Sequence, residues 1–149
     1  MKAVYWDSVC FLGWLQDEID KVEHCRVVLD ECEAGNILLV TSALTLAEVL
    51  ALKGKPRVPV VDLEKVESFF RKSYIDVRSV TRRTAEDARK LVWENKAAPK
   101  DAIHLATALH AKLDEMHTFD GGLISQSGLN GDPPLIIRIP SIAQPKLPL

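Results

Sequence analysis

Several features that the sequence lacks exclude whole classes of protein. It has no apolar run of the roughly 20 residues that a helix needs to cross a bilayer, so we expect no membrane span. Its three cysteines form no Cys-x-x-Cys pair, which disfavours a disulfide scaffold and predicts buried free thiols in a reducing compartment. The formal net charge is only −2 at pH 7, whereas a chain bound to nucleic acid by charge alone would be more basic. An acid at position 7 comes too early for a secretion signal, and we expect a cytoplasmic protein.

What is present is the composition of an ordinary globular domain. The 149 residues are 47% hydrophobic and 27% charged, which suits one domain with its own core. We expect a single domain over residues 1–140, followed by an extended, proline-rich tail over 141–149.

Predicted strands alternate with predicted helices along the chain, a pattern typical of an α/β fold with a mainly parallel sheet. The apolar runs predict strands over 2–6, 37–41, 74–80, 116–119 and 135–139. Helical spacing predicts helices from 8, over 19–34, from 45, and over 63–73, 84–95 and 100–113. Residues 53–62 are basic, contain two prolines and read as the clearest loop.

Four acids occupy positions where such a fold gathers side chains. Asp7 and Asp120 directly follow predicted strands, and Glu48 and Asp101 lie near the starts of predicted helices. These positions meet at the carboxyl edge of a parallel sheet, where ligands bind. Carboxylates that converge there repel each other, and a hard cation such as Mg²⁺ or Mn²⁺ relieves the repulsion. A metal so held can activate water for attack on a phosphate ester.

Each of these acids also has a purely structural explanation. Asp7 and Asp101 could be helix N-caps, which contribute about 1 kcal/mol each. Asp120 stands before two glycines and could be a turn residue. Glu48 could be a first-turn acid that the helix dipole favours. The four acids together favour the site, but the pattern leaves both explanations open.

Four segments around these acids carry a family resemblance, which covers the chain from about Val4 to Ile139. They are Val4-Tyr5-Trp6-Asp7-Ser8, Ser42-Ala43-Leu44-Thr45-Leu46-Ala47-Glu48-Val49, Pro99-Lys100-Asp101-Ala102-Ile103-His104-Leu105-Ala106-Thr107-Ala108-Leu109, and Thr118-Phe119-Asp120. In this order they resemble the PIN-domain family, which includes the VapC-type toxins of toxin–antitoxin pairs. The sequence departs from the family where Val9-Cys10 follows Ser8 and where Gly121-Gly122 follows Asp120.

The resemblance implies a three-layer α/β/α fold with a parallel sheet in the order 3-2-1-4-5. It also implies cleavage of RNA that depends on Mg²⁺ or Mn²⁺. The metal ligands that it implies are Asp7, Glu48, Asp101 and Asp120, the last either directly or through water. Ser8 and Thr118 would hydrogen-bond to these acids and orient them.

Other polar and aromatic residues have weaker claims to function. Lys96 and Lys100 flank Asp101 and are the best candidates for contact with substrate phosphates. His104 is expected to be a partly buried or surface histidine, although a general-base role is conceivable. The three tryptophans are expected in the core or in an interface rather than as base-stacking platforms: Trp6, Trp14 and Trp93.

The leading interpretation is a metal-dependent endoribonuclease, and by family analogy the toxin of a toxin–antitoxin pair. Its partners would be an RNA substrate, an antitoxin protein and a second copy of the chain in a homodimer. A catalytically weak or inactive module that binds RNA or protein is the alternative. A phosphotransfer domain is a third, which the sequence disfavours because Asp7-Ser8-Val9-Cys10 lacks a second acid two positions on.

Overall fold

The computed structural model describes residues 1–49 and 63–143, in which strands and helices alternate. The strands are β1 (Lys2–Trp6), β2 (Ile37–Ser42), β3 (Ile75–Arg78), β4 (Glu115–His117) and β5 (Ile136–Arg138). The helices are α1 (Ser8–Leu15), α2 (Val22–Glu33), α3 (Ala43–Glu48), α4 (Leu63–Phe70), α5 (Arg82–Asn95), α6 (Pro99–His110) and α7 (Gly121–Ile124). The predicted basic loop over 53–62 and positions 144–149 of the predicted tail lie outside the described residues.

The five strands form one parallel sheet in the order β3-β2-β1-β4-β5, which confirms the predicted topology. Strand β1 lies at the centre, and its Tyr5 pairs with Val40 of β2 on one side and with Met116 of β4 on the other. Because β2, β1 and β4 are parallel neighbours, the residues that follow these three strands emerge side by side at the carboxyl edge of the sheet.

Helices cover both faces of the sheet, as the predicted three-layer fold requires. Because successive side chains of a strand point to opposite faces, Trp6 and Tyr5 enter different cores. Trp6 packs with α1, α2 and α4, whose buried residues include Phe11, Val28 and Phe69. Tyr5 packs with α6 and α7, whose buried residues include Leu105 and Leu123.

Helix α5 lies against α6 rather than against the sheet. Its contact is built from three buried alanines, Ala88, Ala102 and Ala106, and such small side chains let two helices approach closely. Thr81 caps α5 in a reciprocal arrangement with Thr84, so the helix begins two residues before its predicted start. The start of the helix is therefore set by this cap, because the apolar pattern used for the prediction is weak in the first turn.

The remaining predictions from composition can be compared directly with the structure. All three cysteines are buried and free, as predicted, and burial raises the pKa of each thiol. In the described part of the chain, no helix is both long and apolar enough to cross a membrane. The short helix α7 was not predicted, because Gly121-Gly122 reads as a turn in the sequence.

Candidate active site

The four predicted acids lie on segments that follow the carboxyl ends of strands or at the start of a helix. Asp7 immediately follows β1 and is the N-cap of α1. Glu48 ends α3, which follows β2 directly. Asp120 is the N-cap of α7, just beyond β4, and Asp101 lies in the first turn of α6. Adjacent parallel strands thus bring three of the acids to one edge, and α6 supplies the fourth.

Asp7 is a buried carboxylate with only partial compensation of its charge. Its side chain is 3% exposed. The Thr118 hydroxyl donates a hydrogen bond to Asp7 Oδ2 at 2.5 Å, and the Cys10 backbone N–H donates to Oδ1 at 3.3 Å. Burial nevertheless raises the pKa of Asp7, against the lowering effects of His104, Thr118 and Cys10. The negative charge here is therefore costly to hold.

Glu48, although also buried, is held in its charged form. The Ser8 hydroxyl donates to Glu48 Oε1 at 2.5 Å, and His104 Nε2 lies 2.8 Å from the same oxygen. Burial alone would raise the pKa of Glu48, but these two hydrogen bonds, with the charges of His104 and Lys100, hold that pKa below its usual value. Glu48 thus keeps its charge without help from a cation.

Behind Glu48, a buried chain of side chains fixes the His104 ring. The Tyr5 hydroxyl lies 2.5 Å from His104 Nδ1. Burial and the nearby charge of Asp7 raise the pKa of Tyr5 well above its usual value, so the phenol keeps its proton and donates it to Nδ1. On the other side of the ring, His104 Nε2 donates a hydrogen bond to the Glu48 carboxylate. The expectation of a partly buried or surface histidine was wrong, since His104 is 3% exposed.

Asp101 and Asp120 lie close enough together for the charge of Asp120 to act on the pKa of Asp101. Burial, followed by the charge of Asp120 and a hydrogen bond with it, raises the pKa of Asp101 to about 6; the charge of Asp7 acts in the same direction. Asp120 is held by the Gly122 N–H, which donates to its Oδ1 at 2.9 Å. Its own N–H donates to the Thr118 hydroxyl at 3.0 Å. Thr118 therefore links Asp120 to Asp7.

Of the structural explanations for the four acids, the one for Asp7 holds as predicted, because Asp7 caps α1. Asp120 also has a structural role, but it is the N-cap of α7 rather than the predicted turn residue. Asp101 is not an N-cap, because Ala98 occupies that position without a side-chain bond. Glu48 is the last of the six residues of α3, so it is not a first-turn acid. Helix capping alone cannot explain why Asp101 and Glu48 are acids.

The acids fit a divalent cation in chemical type and in charge. All four offer carboxylate oxygens, the donors that Mg²⁺ and Mn²⁺ prefer. The raised pKa values of Asp7 and Asp101 mark buried negative charge that a cation would relieve. Within the residues that the structure describes, however, no three His, Cys, Asp or Glu side chains are placed to hold one metal ion together. The complete four-carboxylate cluster therefore stays a prediction.

The two lysines that flank Asp101 are both exposed. Lys100 lies close enough to Glu48 for its charge to lower the pKa of that carboxylate. Lys96 is the C-cap of α5, with the left-handed φ of 56°. Both can reach solvent, and Lys100 has the closer electrostatic link to the acids.

The three tryptophans occupy three different environments. Trp6 is fully buried, as predicted, and its indole N–H donates to His117 Nδ1 at 3.0 Å. Trp14 is half-buried beneath the Arg26 guanidinium, which lies 5.2 Å from the centre of the ring. Trp93 is 86% exposed, so it does not pack in the core, and of the two expected places only an interface remains for it.

A third buried carboxylate, Glu115, lies at the other end of β4 from Asp120. Glu115 is 1% exposed, forms ion pairs with Lys2 and Arg138, and is hydrogen-bonded to His117. Burial would raise its pKa, but these partners together lower the pKa of Glu115 to about 2. The cluster ties the edge strand β5 and the central strand β1 to β4.

Comparisons with known proteins agree with this architecture. A family model described as PIN domain matches residues 4–128. No curated protein sequence matches the chain. Among solved structures, the chain is similar to VapC20 of Mycobacterium tuberculosis, a toxin that cleaves the sarcin–ricin loop, with a TM-score of 0.68 and 14% identity over 82% of this chain and 93% of that one. It is also similar to a chain in a toxin–antitoxin complex from Klebsiella pneumoniae, with a TM-score of 0.53 and 23% identity over 78% of this chain and 86% of that one. At these identities the two likenesses show a shared fold.

Proposed function

The chain belongs to the PIN-domain family, and on that premise we propose that it is a metal-dependent endoribonuclease that hydrolyses RNA phosphodiesters. The observation that carries the proposal is the half-buried position of Asp101 beside Asp120 and Asp7, where burial first, and then the charges of these acids, raise the pKa of Asp101 to about 6. A protein gains nothing in stability from packing like charges together, so such clusters mark functional sites.

In this proposal Asp7, Glu48 and Asp101 are the core ligands of Mg²⁺ or Mn²⁺, and Asp120 is a direct or water-mediated ligand. When bound, such a cation polarises a phosphate and lowers the pKa of water. Ser8 and Thr118 orient the acids, which is supported by their hydrogen bonds to Glu48 and Asp7.

The chain's own residues would also position the substrate and the acids. Lys100, adjacent to Asp101, and Lys96, at the end of α5, are exposed and would contact substrate phosphates. The Tyr5–His104 pair holds Glu48 in one orientation through its Oε1.

We further propose that the protein is the toxin of a toxin–antitoxin pair, acting in the cytoplasm, with an antitoxin protein and a second copy of itself as partners. The support is the likeness in fold to VapC20 and to the Klebsiella complex. One domain over residues 1–140 and a tail over 141–149 complete the proposal. A catalytically weak or inactive module that binds RNA or protein is the second candidate, because no three potential ligands of the described residues are gathered around one point.

Cleavage of a mixed RNA pool by purified protein tests the proposal, with EDTA, Mg²⁺ or Mn²⁺ present. We expect cleavage with a divalent cation, and a loss of about 100-fold or more in Asp7→Asn and Asp101→Asn. The exposed Asp30→Asn is the matched control and should cut like the wild type. Cleavage that survives both site substitutions would contradict the proposal. Calorimetric binding of Mn²⁺ without RNA cleavage would favour the binding module.

A further inference from the structure

One large aromatic side chain stands out on the surface because nothing in the fold explains its exposure. Trp93 is 86% exposed, whereas every other Trp, Tyr and Phe of the described residues is buried or half-buried. We propose that Trp93, with Arg89, Lys90 and Lys96, forms a base-stacking subsite that holds single-stranded RNA beside the acids. This inference rests on the proposed function and deepens it, since it names where the RNA outside the cleaved bond is held.

Trp93 does not take part in the packing of its own helix. The buried side of α5 is formed by Thr84 and Ala88, and its half-buried Leu91 and Val92 pack against α6. A residue two positions beyond Leu91 is turned about 200° from it around the helix axis. Trp93 therefore faces away from α6, towards solvent.

The surroundings of the indole ring are basic. Arg89 and Lys90 precede Trp93 by four and three residues, so they lie on its side of the helix one turn earlier. Lys96 follows at the C-cap of α5. Glu94 is the adjacent acid in the sequence, but neighbouring residues of a helix do not face each other.

The acids of the preceding turn already have partners of their own. Glu86 pairs with Arg82, and Asp87 pairs with His110 and more distantly with Arg83. In the described part of the chain, neither Arg89 nor Lys96 forms an ion pair within 4.0 Å, so both remain available for phosphates.

The subsite lies at the same end of the α5–α6 pair as the acids. Trp93 is two residues before the end of α5, and Asp101 is two residues after the start of α6. With packed helices about 8–10 Å apart and a rise of about 1.5 Å per residue, the two backbones are roughly 10 to 15 Å apart. The end of α5 is also tied to the segment after α7, because Asn95 donates to Gln126 and Asn130 at 3.0 and 2.9 Å.

This combination of groups selects one class of ligand. An exposed ring offers a face on which any base can stack, and cations beside it bind the phosphates of the same strand. Bases of a duplex are already stacked on each other, so the subsite favours unpaired nucleotides such as those of loops. Because the Trp93 side chain faces away from α6, the indole lies farther from the Asp101 carboxylate than the two backbones do, and the stacked base would be several nucleotides from the cleaved bond.

The three tryptophans make a direct optical test possible. Single-stranded RNA of about 12 mixed-sequence nucleotides is titrated into the Asp7→Asn protein, which should not cut it. We expect quenching of Trp93, because Trp6 is buried and Trp14 is covered by Arg26. The quenching should vanish in Trp93→Phe and should be weak with an abasic strand that carries the same phosphates.

Affinities in the same background give the size of the effect. Trp93→Ala should raise the Kd for RNA by about 5- to 100-fold, and Trp93→Phe should stay within about threefold of the parent. Arg89→Ala combined with Lys96→Ala should reduce the slope of log Kd against log salt by about 1.4. Ile19→Ala removes another side chain that is 95% exposed and should change none of these values.

Two results would overturn the inference. One is an RNA affinity that does not change in Trp93→Ala, including the case where that variant instead alters the oligomeric state in sedimentation, which would assign Trp93 to a protein contact. The other is a parent protein that binds no single-stranded RNA. RNA binding that depends on Trp93, without cleavage by the wild type under any metal, would support the subsite and contradict the ribonuclease proposal.

Discussion

Replacing Asp101 by asparagine measures how strongly the acids repel one another when no metal is present. The side chain is half-buried, and burial together with the charge of Asp120 raises its pKa from 3.8 to about 6. An acid whose folded pKa is raised destabilises the folded state once it ionises, so the penalty develops between pH 3.8 and about 6 and persists above that. Asparagine keeps the shape of the side chain and never ionises.

The magnitude follows from the pKa shift and from what opposes it. A rise from 3.8 to about 6 corresponds to roughly 3 kcal/mol at full effect. Partial exposure reduces this figure, and the substitution also removes a favourable interaction of about 0.3–1 kcal/mol between a first-turn acid and the α6 dipole. We therefore expect Asp101→Asn to stabilise the protein by about 1 to 2 kcal/mol at pH 8, which is a rise in Tm of roughly 3 to 6 °C.

Thermal unfolding in EDTA between pH 4 and pH 8, followed by circular dichroism, checks this expectation. The difference in Tm between variant and wild type should be close to zero near pH 4 and largest near pH 8. The exposed Asp30→Asn should show no such trend. A lower Tm for Asp101→Asn across the whole range would refute the reasoning, because it would mean that the carboxylate makes a net stabilising contact. A gain that does not depend on pH would equally rule out charge repulsion as its cause.

Two further predictions concern the other buried polar groups. The pKa of Glu115 is lowered from 4.5 to about 2, so its ion pairs stabilise the fold above about pH 4.5 and this stability is lost as the pH falls towards 2. Glu115→Gln, which leaves Lys2 and Arg138 without their partner, should destabilise the protein by about 3 kcal/mol at pH 7, and the difference should shrink in acid unfolding followed by circular dichroism. His104→Ala should weaken Mn²⁺ binding by about 10- to 100-fold in calorimetry, because Glu48 loses the group that orients it. His104→Gln keeps a donor and should recover most of that affinity, whereas equal losses in both variants would show that only the packing of the ring matters.

The strands and the positions of the acids relative to them could be predicted, because both depend on the order of apolar and polar residues within short segments of the sequence. Continuous apolar runs identify buried strands. Asp7 and Asp120 closely follow such strands, Asp101 opens a helix, and Glu48 ends the short helix after β2. The strand order came from the family resemblance rather than from these patterns, which leave the neighbours of each strand undetermined. The ends of elements were less certain, as in α5, where the Thr81–Thr84 cap decides the start.

The partners of the buried polar groups could not be predicted from the sequence. Tyr5 and His104 are 99 residues apart in the sequence and look like ordinary core and surface residues. The one usable signal is spacing, because His104 follows Asp101 by three residues and so lies on the same side of α6. For Trp93 the sequence left two places open, the core or an interface, and only the packing of α5 on α6 shows that its side of the helix faces solvent.

The structure also separates acids that the sequence treats as equivalent ligands. Glu48 is compensated by Ser8, His104 and Lys100, and its pKa is lowered. Asp7 and Asp101 are not compensated to the same extent, and their pKa values are raised. A cation at this edge would therefore find Glu48 already charged and oriented, while Asp7 and Asp101 would gain most from its arrival. Metal binding should for this reason release protons near pH 6, mainly from Asp101, and it should stabilise the fold by removing the repulsion that Asp101→Asn removes permanently.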